Sequence, residues 1–170
     1  MSEYDPTVES HEGYDSTETH ESYGDDHAIV AQWTDGSQLG VADYDGDGQA
    51  DLVATDDDGD GRPEHVYTDE YGDGRLDTTY HDHDENGFAE VVESDRDGDG
   101  HTDIVTADRD GDQAYDTQVR DDDYDGRADH VILDPDEDGN RDRVIVDTDG
   151  DGTFDTVHYG DRDTNPYASH

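Results

Sequence analysis

The chain has 170 residues, of which 52 are acidic and only 9 are Lys or Arg, so its formal net charge is −43. A surface this acidic repels nucleic-acid phosphates and anionic membranes, which excludes both as expected partners. No apolar run approaches the ~20 residues of a membrane span, and cysteine is absent, which also excludes disulfides and thiolate metal sites.

The two ends of the chain differ from its centre. Residues 1–27 are rich in Ser, Thr, Glu, His and Tyr without periodicity, and predict a disordered acidic leader. Residues 28–42 hold two short apolar segments separated by a Thr-Asp-Gly-Ser turn, and predict N-terminal capping strands with Trp33 covering the end of the core. Residues 160–170 are expected to form a C-terminal tail.

Between these ends, residues 43–159 form nine tandem repeats of 13 residues without insertion or deletion. Written from its first Asp, the repeat is D-x-D-G-D-G-x-x-D-x-V-x-x. Of the 52 acidic residues, 34 occupy repeat positions 1, 3, 5 and 9. Neither a solvated acidic face nor a disordered tail needs such a register, so the periodicity predicts an array of metal ligands.

The first half of each repeat carries the oxygen ligands that calcium prefers. Ca²⁺ takes about six to eight oxygen ligands at roughly 2.3–2.6 Å. Carboxylates at positions 1, 3 and 5 of a tight loop can converge on one ion, while the position 7 backbone carbonyl and the position 9 carboxylate complete the shell. Gly at position 6 permits the positive φ that turns the position 7 carbonyl inward.

The predicted metal ligands fall into five sets, one for each of these repeat positions. They are, at position 1, Asp43, Asp56, Asp69, Asp82, Asp95, Asp108, Asp121, Asp134 and Asp147; at position 3, Asp45, Asp58, Asp84, Asp97, Asp110, Asp123, Asp136 and Asp149; at position 5, Asp47, Asp60, Asp73, Asn86, Asp99, Asp112, Asp125, Asp138 and Asp151; at position 7, Gln49, Arg62, Arg75, Phe88, His101, Ala114, Arg127, Asn140 and Thr153; and at position 9, Asp51, Glu64, Asp77, Glu90, Asp103, Asp116, Asp129, Asp142 and Asp155. We expect about seven to nine Ca²⁺ per chain. Nine ions at +2 each would reduce the formal net charge from −43 to −25.

Residues 43–53 have the sequence DYDGDGQADLV, which resembles the calcium loop of FG-GAP/VCBS repeats. The loop is also similar to thrombospondin type-three repeats, which implies ligands at the matching positions 1, 3, 5 and 9. Both resemblances cover the loop alone, because 13 residues cannot hold a propeller blade and the thrombospondin repeats contain cysteine. The overall architecture resembles RTX-type β-rolls, which implies loop–strand units wound into a parallel roll with metal between the turns.

The segment after each loop predicts a β-strand of about six residues, because it is short, β-branched and bounded by Gly and Asp. We therefore expect an all-β fold, a calcium-stabilised parallel β-solenoid or β-roll of nine loop–strand repeats with two repeats per turn. Val at position 11 is expected to point inward, and position 8 is expected to supply the rest of a thin core. An antiparallel meander with one strand per repeat is the alternative. Because the core is thin, metal binding is expected to supply folding free energy.

The sites are not expected to be equal. The repeat that begins at Asp69 has Tyr71 at a ligand position and is expected to bind most weakly. The repeat that begins at Asp82 follows, because Asn86 offers an oxygen without a charge. Gln113 replaces the position 6 Gly and is expected to strain its loop by ~1 kcal/mol.

No set of residues predicts catalysis, and we expect the chain not to be an enzyme. The histidines occupy inconsistent repeat positions and are expected to be solvated, although His81 and His83 give a weak transition-metal signal. Two functions stay open: a calcium-rigidified structural or surface module, and an intracellular high-capacity calcium buffer or sensor. The sites are also expected to accept lanthanide ions. A protein partner and end-to-end self-association stay open.

Affinity separates these two functions, since extracellular modules bind calcium at roughly 10⁻⁴–10⁻³ M and sensors at roughly 10⁻⁷–10⁻⁵ M. The N-terminus lacks the basic and apolar regions of a secretory signal. An extracellular or cell-surface location reached by a signal-less route is favoured, because rigid repeats are poorly suited to exposing a switchable groove. A cytoplasmic location is the alternative.

Overall fold

The computed structural model describes residues 27–160, so the predicted leader, apart from its last residue, and nearly all of the predicted tail lie outside the described residues. Within this range the chain forms eleven β-strands and no α-helix. The all-β class predicted from the sequence is confirmed. No helix in this range is long and apolar enough to cross a membrane.

From β3 to β11 the strands begin at the 13-residue spacing of the sequence repeat, and every strand has four or five residues. Their bounds are β1 (Ala28–Gln32), β2 (Gln38–Ala42), β3 (Leu52–Asp56), β4 (His65–Thr68), β5 (Thr78–His81), β6 (Val91–Ser94), β7 (Ile104–Ala107), β8 (Thr117–Arg120), β9 (His130–Leu133), β10 (Arg143–Val146) and β11 (Thr156–Tyr159). In each repeat the strand begins directly after the position 9 acidic residue. The strands are therefore shorter than the six residues expected from the sequence.

All eleven strands form one open sheet in chain order, and every neighbouring pair is antiparallel. The prediction of a parallel β-solenoid with two repeats per turn is therefore wrong, and the alternative meander forms instead. The physical reason is that each loop folds its strand back onto the strand directly before it, rather than onto one a full turn away. The N–H of Asp51 donates to the carbonyl of Ala42 at 2.8 Å, so nine residues reverse the chain. Hydrogen bonds between consecutive strands make the pairing antiparallel, whereas a parallel roll would pair strands two repeats apart.

The loops alternate between the two ends of the strands and so form two rows. The first row contains the loops that follow β2, β4, β6, β8 and β10, and the second row contains those that follow β3, β5, β7 and β9. Neighbours in a row are two strands apart, which is ~10 Å at a strand spacing of ~4.8 Å. The guanidinium of Arg75 donates to the Gly98 carbonyl at 2.6 Å, and that of Arg127 donates to the Gly150 carbonyl at 3.2 Å. Position 7 side chains thus connect neighbouring loops within the first row.

In the meander, the side chain at a given repeat position lies on one face of the sheet in one strand and on the other face in the next strand. Val53 of β3 pairs with Tyr67 of β4, so the position 11 residue of β4, Val66, lies on the other face. Position 11 therefore alternates between the two faces of one open sheet instead of pointing into the interior of a roll, and that prediction is wrong. At position 8, Leu76 and Phe154 are 39% and 42% exposed, so these two residues do not supply the expected core.

The apolar core of residues 27–160 is very small. Its buried hydrophobic residues are Ala42 and Ile132 alone, and Trp33 lies in the β1–β2 turn with 42% of its surface exposed rather than covering a core. The other buried residues are Thr78 and seven Asp residues at repeat positions 1 and 9. Most of the buried residues therefore lie at strand ends, where a loop begins or closes.

Candidate metal sites

Each loop is wrapped around its position 1 carboxylate, as the loop that begins at Asp95 illustrates. One carboxylate oxygen of Asp95 accepts the Gly98 N–H at 2.7 Å, and the other accepts the Gly100 N–H at 2.8 Å. These glycines have φ values of 74° and 92°, a region that side chains disfavour. The expectation of positive φ at position 6 is confirmed at Gly100.

The position 9 carboxylate closes the same loop from the opposite side. Asp103 is 4% exposed, and its carboxylate accepts the N–H groups of Arg96 at 2.6 Å and Asp97 at 3.3 Å. Its own N–H donates to the Ser94 carbonyl at 2.8 Å, at the end of the ladder between β6 and β7. Strand pairing therefore fixes the position of this side chain.

Positions 3 and 5 are ordered by short local hydrogen bonds. The Asp97 carboxylate accepts the Asp99 N–H at 3.0 Å, and the Asp99 carboxylate accepts the His101 N–H at 2.8 Å. In each bond the acceptor is one carboxylate oxygen, Oδ1. The position 7 residue is thus held in the loop by its main-chain N–H. Because its side chain is not needed for this hydrogen bond, many residue types occur there.

This arrangement recurs along the chain, and it brings predicted ligands together. A cation ~2.4 Å from each of several oxygens requires those oxygens to lie within ~4.8 Å of one another. Carboxylate oxygens meet this limit in the groups Asp43, Asp45 and Asp47; Asp56, Asp58 and Asp60; Asp69, Asp73 and Asp77; and Asp82, Asp84 and Glu90. In the third group Tyr71 supplies no carboxylate, and positions 1, 5 and 9 converge without it. These acidic clusters could each hold a metal ion.

The position 1 carboxylates are stabilised in their ionised form. Burial raises the pKa of Asp69, Asp108 and Asp147, but the backbone N–H donors around each carboxylate outweigh burial and hold its pKa below the usual 3.8. Accepted N–H bonds favour the charged form of a carboxylate in this way. These groups therefore stay negative at neutral pH although other carboxylates surround them.

Position 4 is a source of carboxylates that the sequence analysis missed. Glu85 and Glu137 occupy this position, where most repeats have Gly, and their φ values are 57° and 55°. An oxygen of Glu85 lies within 4.8 Å of oxygens of Asp58 and Glu64, which belong to the preceding loop of the second row. Burial, a hydrogen bond with Asp112 and nearby negative charges raise the pKa of Glu137 to about 7. The contact of Glu85 with the preceding loop could have been inferred from the sequence, because Glu replaces Gly at position 4 of this repeat.

Gln113 adopts the conformation that the repeat requires of glycine at position 6. Its φ is 76°, and its N–H donates to the carboxylate of Asp108 at 2.8 Å, as the glycine N–H does in other loops. The expectation that a non-glycine residue is forced into this sharp turn is therefore confirmed. The loop keeps its hydrogen bonds at the cost of an unfavourable backbone conformation.

Several buried carboxylate oxygens have no hydrogen-bond donor among the described residues. They are Oε1 of Glu90, Oδ1 of Asp134 and Oε1 of Glu137. A buried acceptor without a partner is costly unless water or an ion satisfies it. All three oxygens belong to loops of the second row, where a cation or a water molecule could satisfy them.

No protein-family model, curated protein or solved structure matches this chain. The similarity of the loops to FG-GAP/VCBS and thrombospondin type-three repeats therefore stays a prediction. Any functional conclusion depends on the geometry and charge of the loops themselves.

Proposed function

We propose that this protein binds several Ca²⁺ ions in its repeat loops and that ion binding stabilises the sheet as a rigid structural module. The observation that carries the proposal is the burial of aspartate. Seven Asp residues at repeat positions 1 and 9 are 4–8% exposed, whereas the buried apolar residues of the described range are Ala42 and Ile132. Charged carboxylates are seldom this buried unless a cation compensates them.

The ion pairs of Arg120, His130 and His81 lie at more exposed acidic side chains. Arg120 and His130 contact Asp122, and His81 contacts Glu93, rather than buried carboxylates such as Asp103. The acidic residues outnumber Lys and Arg by 52 to 9 in any case. Like charges a few ångströms apart repel even in a high dielectric. Bound cations are therefore the natural source of charge compensation.

Calcium suits these loops better than other abundant cations. The converging ligands are carboxylate oxygens of an irregular loop, and hard divalent cations prefer such donors. Magnesium demands near-ideal octahedral geometry at ~2.0–2.1 Å and loses its water reluctantly, while calcium tolerates irregular shells. Softer transition metals prefer nitrogen and sulfur donors, whereas the ligands that converge in these loops are carboxylate oxygens.

Binding in the loops would act directly on strand pairing. The position 1 and position 9 N–H groups complete the ladders, as in the 2.8 Å bonds from Asp95 to the Asp77 carbonyl and from Asp103 to the Ser94 carbonyl. An ion held by the same two residues would fix the ends of adjacent strands at once. Metal binding free energy then becomes folding free energy, as in other small metal-dependent domains.

Side-chain contacts between neighbouring loops of a row favour a rigid module over a sensor. In the second row, Arg62 donates to the Glu85 carbonyl at 2.6 Å, and Glu85 reaches the preceding loop. Such contacts resist the opening movement by which a sensor exposes a binding groove. The buffer alternative differs chiefly in affinity, which the experiment below measures.

The proposal is tested by isothermal calorimetry of the chelator-stripped full chain with CaCl₂, in the presence and absence of millimolar MgCl₂. We expect several Ca²⁺ per chain with submillimolar to millimolar affinity, little affected by magnesium. Submicromolar binding would favour the intracellular buffer instead. Absence of saturable calcium binding, or equal competition by magnesium, would refute the proposal.

A further inference from the structure

A cluster of three histidines lies apart from the repeated ligand positions, on one face of the sheet. His65 of β4 and His81 of β5 are directly paired across the two strands, so their side chains project from the same face. His83 follows two residues later, at the start of the next loop. The antiparallel register therefore joins residues from positions 10, 13 and 2 of three different repeats.

The rings of this cluster approach closely. Nδ1 of His65 lies 3.0 Å from Nδ1 of His81, and their ring centroids are 5.0 Å apart. The His83 ring centroid lies 6.1 Å from that of His65 and 5.8 Å from that of His81. Three imidazoles thus share one small region of a face on which His65 and His81 are half-buried.

We propose that His65, His81 and His83 form a binding site for one divalent transition-metal ion of the zinc class, distinct from the calcium loops. Zinc binds imidazole nitrogen at ~2.0–2.1 Å, which separates two ligand nitrogens by roughly 2.9–3.4 Å at ligand–metal–ligand angles of about 90–110°. The Nδ1–Nδ1 distance of 3.0 Å falls within this range. His65 and His81 are therefore already placed as a two-nitrogen chelate.

His83 is placed to supply the third nitrogen. At the same bond lengths, the ring centroids of two imidazole ligands lie roughly 4.5–5.2 Å apart, so His83 is about 1 Å too distant. Its ring is exposed and can turn, whereas its N–H is held by the Glu90 carboxylate at 2.8 Å. A side-chain rotation on a fixed main chain would complete a three-histidine site with a solvent position open.

The surroundings of His81 match those of a metal ligand. Its Nε2 lies 3.7 Å from a carboxylate oxygen of Glu93, on the side of the ring opposite the Nδ1 contact. Metal-bound histidines commonly direct their other ring nitrogen toward a carboxylate, which orients the ring and increases its basicity. The net charge of −43 further concentrates divalent cations around the molecule.

The donor chemistry separates this site from the loops. Imidazole nitrogen favours Zn²⁺, Ni²⁺, Cu²⁺ and Co²⁺, whereas Ca²⁺ favours oxygen. Loss of the histidines should therefore leave calcium binding by the loops intact. The alternative explanation of the 3.0 Å contact is a single hydrogen bond between two neutral imidazoles, one donating and one accepting.

The test is a cobalt titration of the full chain in saturating calcium, followed by visible absorption and then by displacement with zinc. Calcium occupies the carboxylate loops, so the remaining signal reports nitrogen ligation. We expect one equivalent of Co²⁺ with the intense visible bands of a four- or five-coordinate site, lost when one equivalent of Zn²⁺ is added. His65→Gln and His81→Gln should each weaken binding more than tenfold, and Glu93→Gln by about 10–100-fold.

His158→Gln is the matched control, because His158 is an exposed histidine of another strand, β11. It should leave cobalt binding unchanged, and calorimetry should show unchanged calcium binding in all four variants. If a variant fails to fold, nitrogen NMR of the unaltered chain decides, since zinc should shift Nδ1 of both His65 and His81. Weak six-coordinate cobalt bands, equal affinity in the histidine variants, or unshifted Nδ1 resonances would overturn the proposal and leave a hydrogen-bonded pair.

Discussion

The loops bury charged residues, whereas the faces of the sheet expose apolar ones. Asp103 and Asp108 in the loops are 4% and 6% exposed, whereas Ile29 and Val157 on the strands are 60% and 45% exposed. A typical domain shows the reverse, with apolar strands inside and charged loops outside. The difference indicates that strand ends, rather than an apolar core, hold this fold together. Changes to the loops should therefore have larger effects than changes to the faces.

The largest expected effect is that of acid, which should protonate the loop carboxylates and thereby unfold the sheet. The folded-state pKa values of Asp69, Asp108 and Asp147 lie below the usual 3.8. Their contribution to stability is therefore present above pH 3.8 and is lost as the pH falls through the lower folded-state values. Ca²⁺ binding needs the same ionised groups and is lost in the same direction.

In saturating calcium, circular dichroism should show an unchanged sheet between pH 7 and 5 and loss of the sheet below about pH 3.8. Return to neutral pH should restore it. A sheet that persists unaltered at pH 2 would contradict the role assigned to the carboxylates.

Removal of one buried loop carboxylate should have the next largest effect. Asp103→Asn keeps the shape of the side chain but removes a charge that accepts two backbone N–H bonds. We expect the calcium-loaded protein to lose about 2 kcal/mol in its free energy of unfolding and to bind one ion fewer. Urea denaturation and calorimetry measure the two effects.

Asp57→Asn is the control for that substitution, because Asp57 is exposed and stands at repeat position 2. It should change neither the free energy of unfolding nor the number of ions. Equal effects of the two substitutions would show that lowered net charge, rather than ligation, determines stability.

Addition of a ligand to the loop that we expect to bind calcium most weakly should have a smaller effect. Tyr71 stands at a ligand position, is 52% exposed, and lies beside the converging carboxylates of Asp69, Asp73 and Asp77. Tyr71→Asp adds the missing oxygen ligand and should tighten calcium binding in this loop by about tenfold. Tyr44→Asp adds the same charge at an exposed position 2 and should not do so. An equal gain in both variants would indicate a general electrostatic effect.

Relief of backbone strain in one loop should have the smallest effect. Gln113→Gly removes a side chain from a residue with φ of 76° and should stabilise the calcium-loaded protein by about 1 kcal/mol. The converse substitution, Gly100→Gln, should cost about the same, because φ there is 92° and space is open around a new Cβ. Thermal unfolding compares the two. Shifts of the same sign would contradict the strain argument.

The sequence repeat predicts the strands, the loops and the convergence of acidic side chains, because these features are local. It does not predict how successive strands pair, since 13-residue spacing suits both a coil and a meander. The reversal that places Asp51 beside Ala42 depends on hydrogen bonds between separate segments. The contacts of Glu85 with the preceding loop and of His65 with His81 depend on that reversal, so no single repeat reveals them.

The central claim, that metal binding holds the sheet together, is tested most directly by circular dichroism of the chelator-stripped full chain during a calcium titration. We expect a disordered spectrum without calcium and a cooperative gain of β-structure as the loops fill, reversed by excess chelator. Equal strand content with and without chelator would contradict the claim and would show that the sheet is stable without its ions.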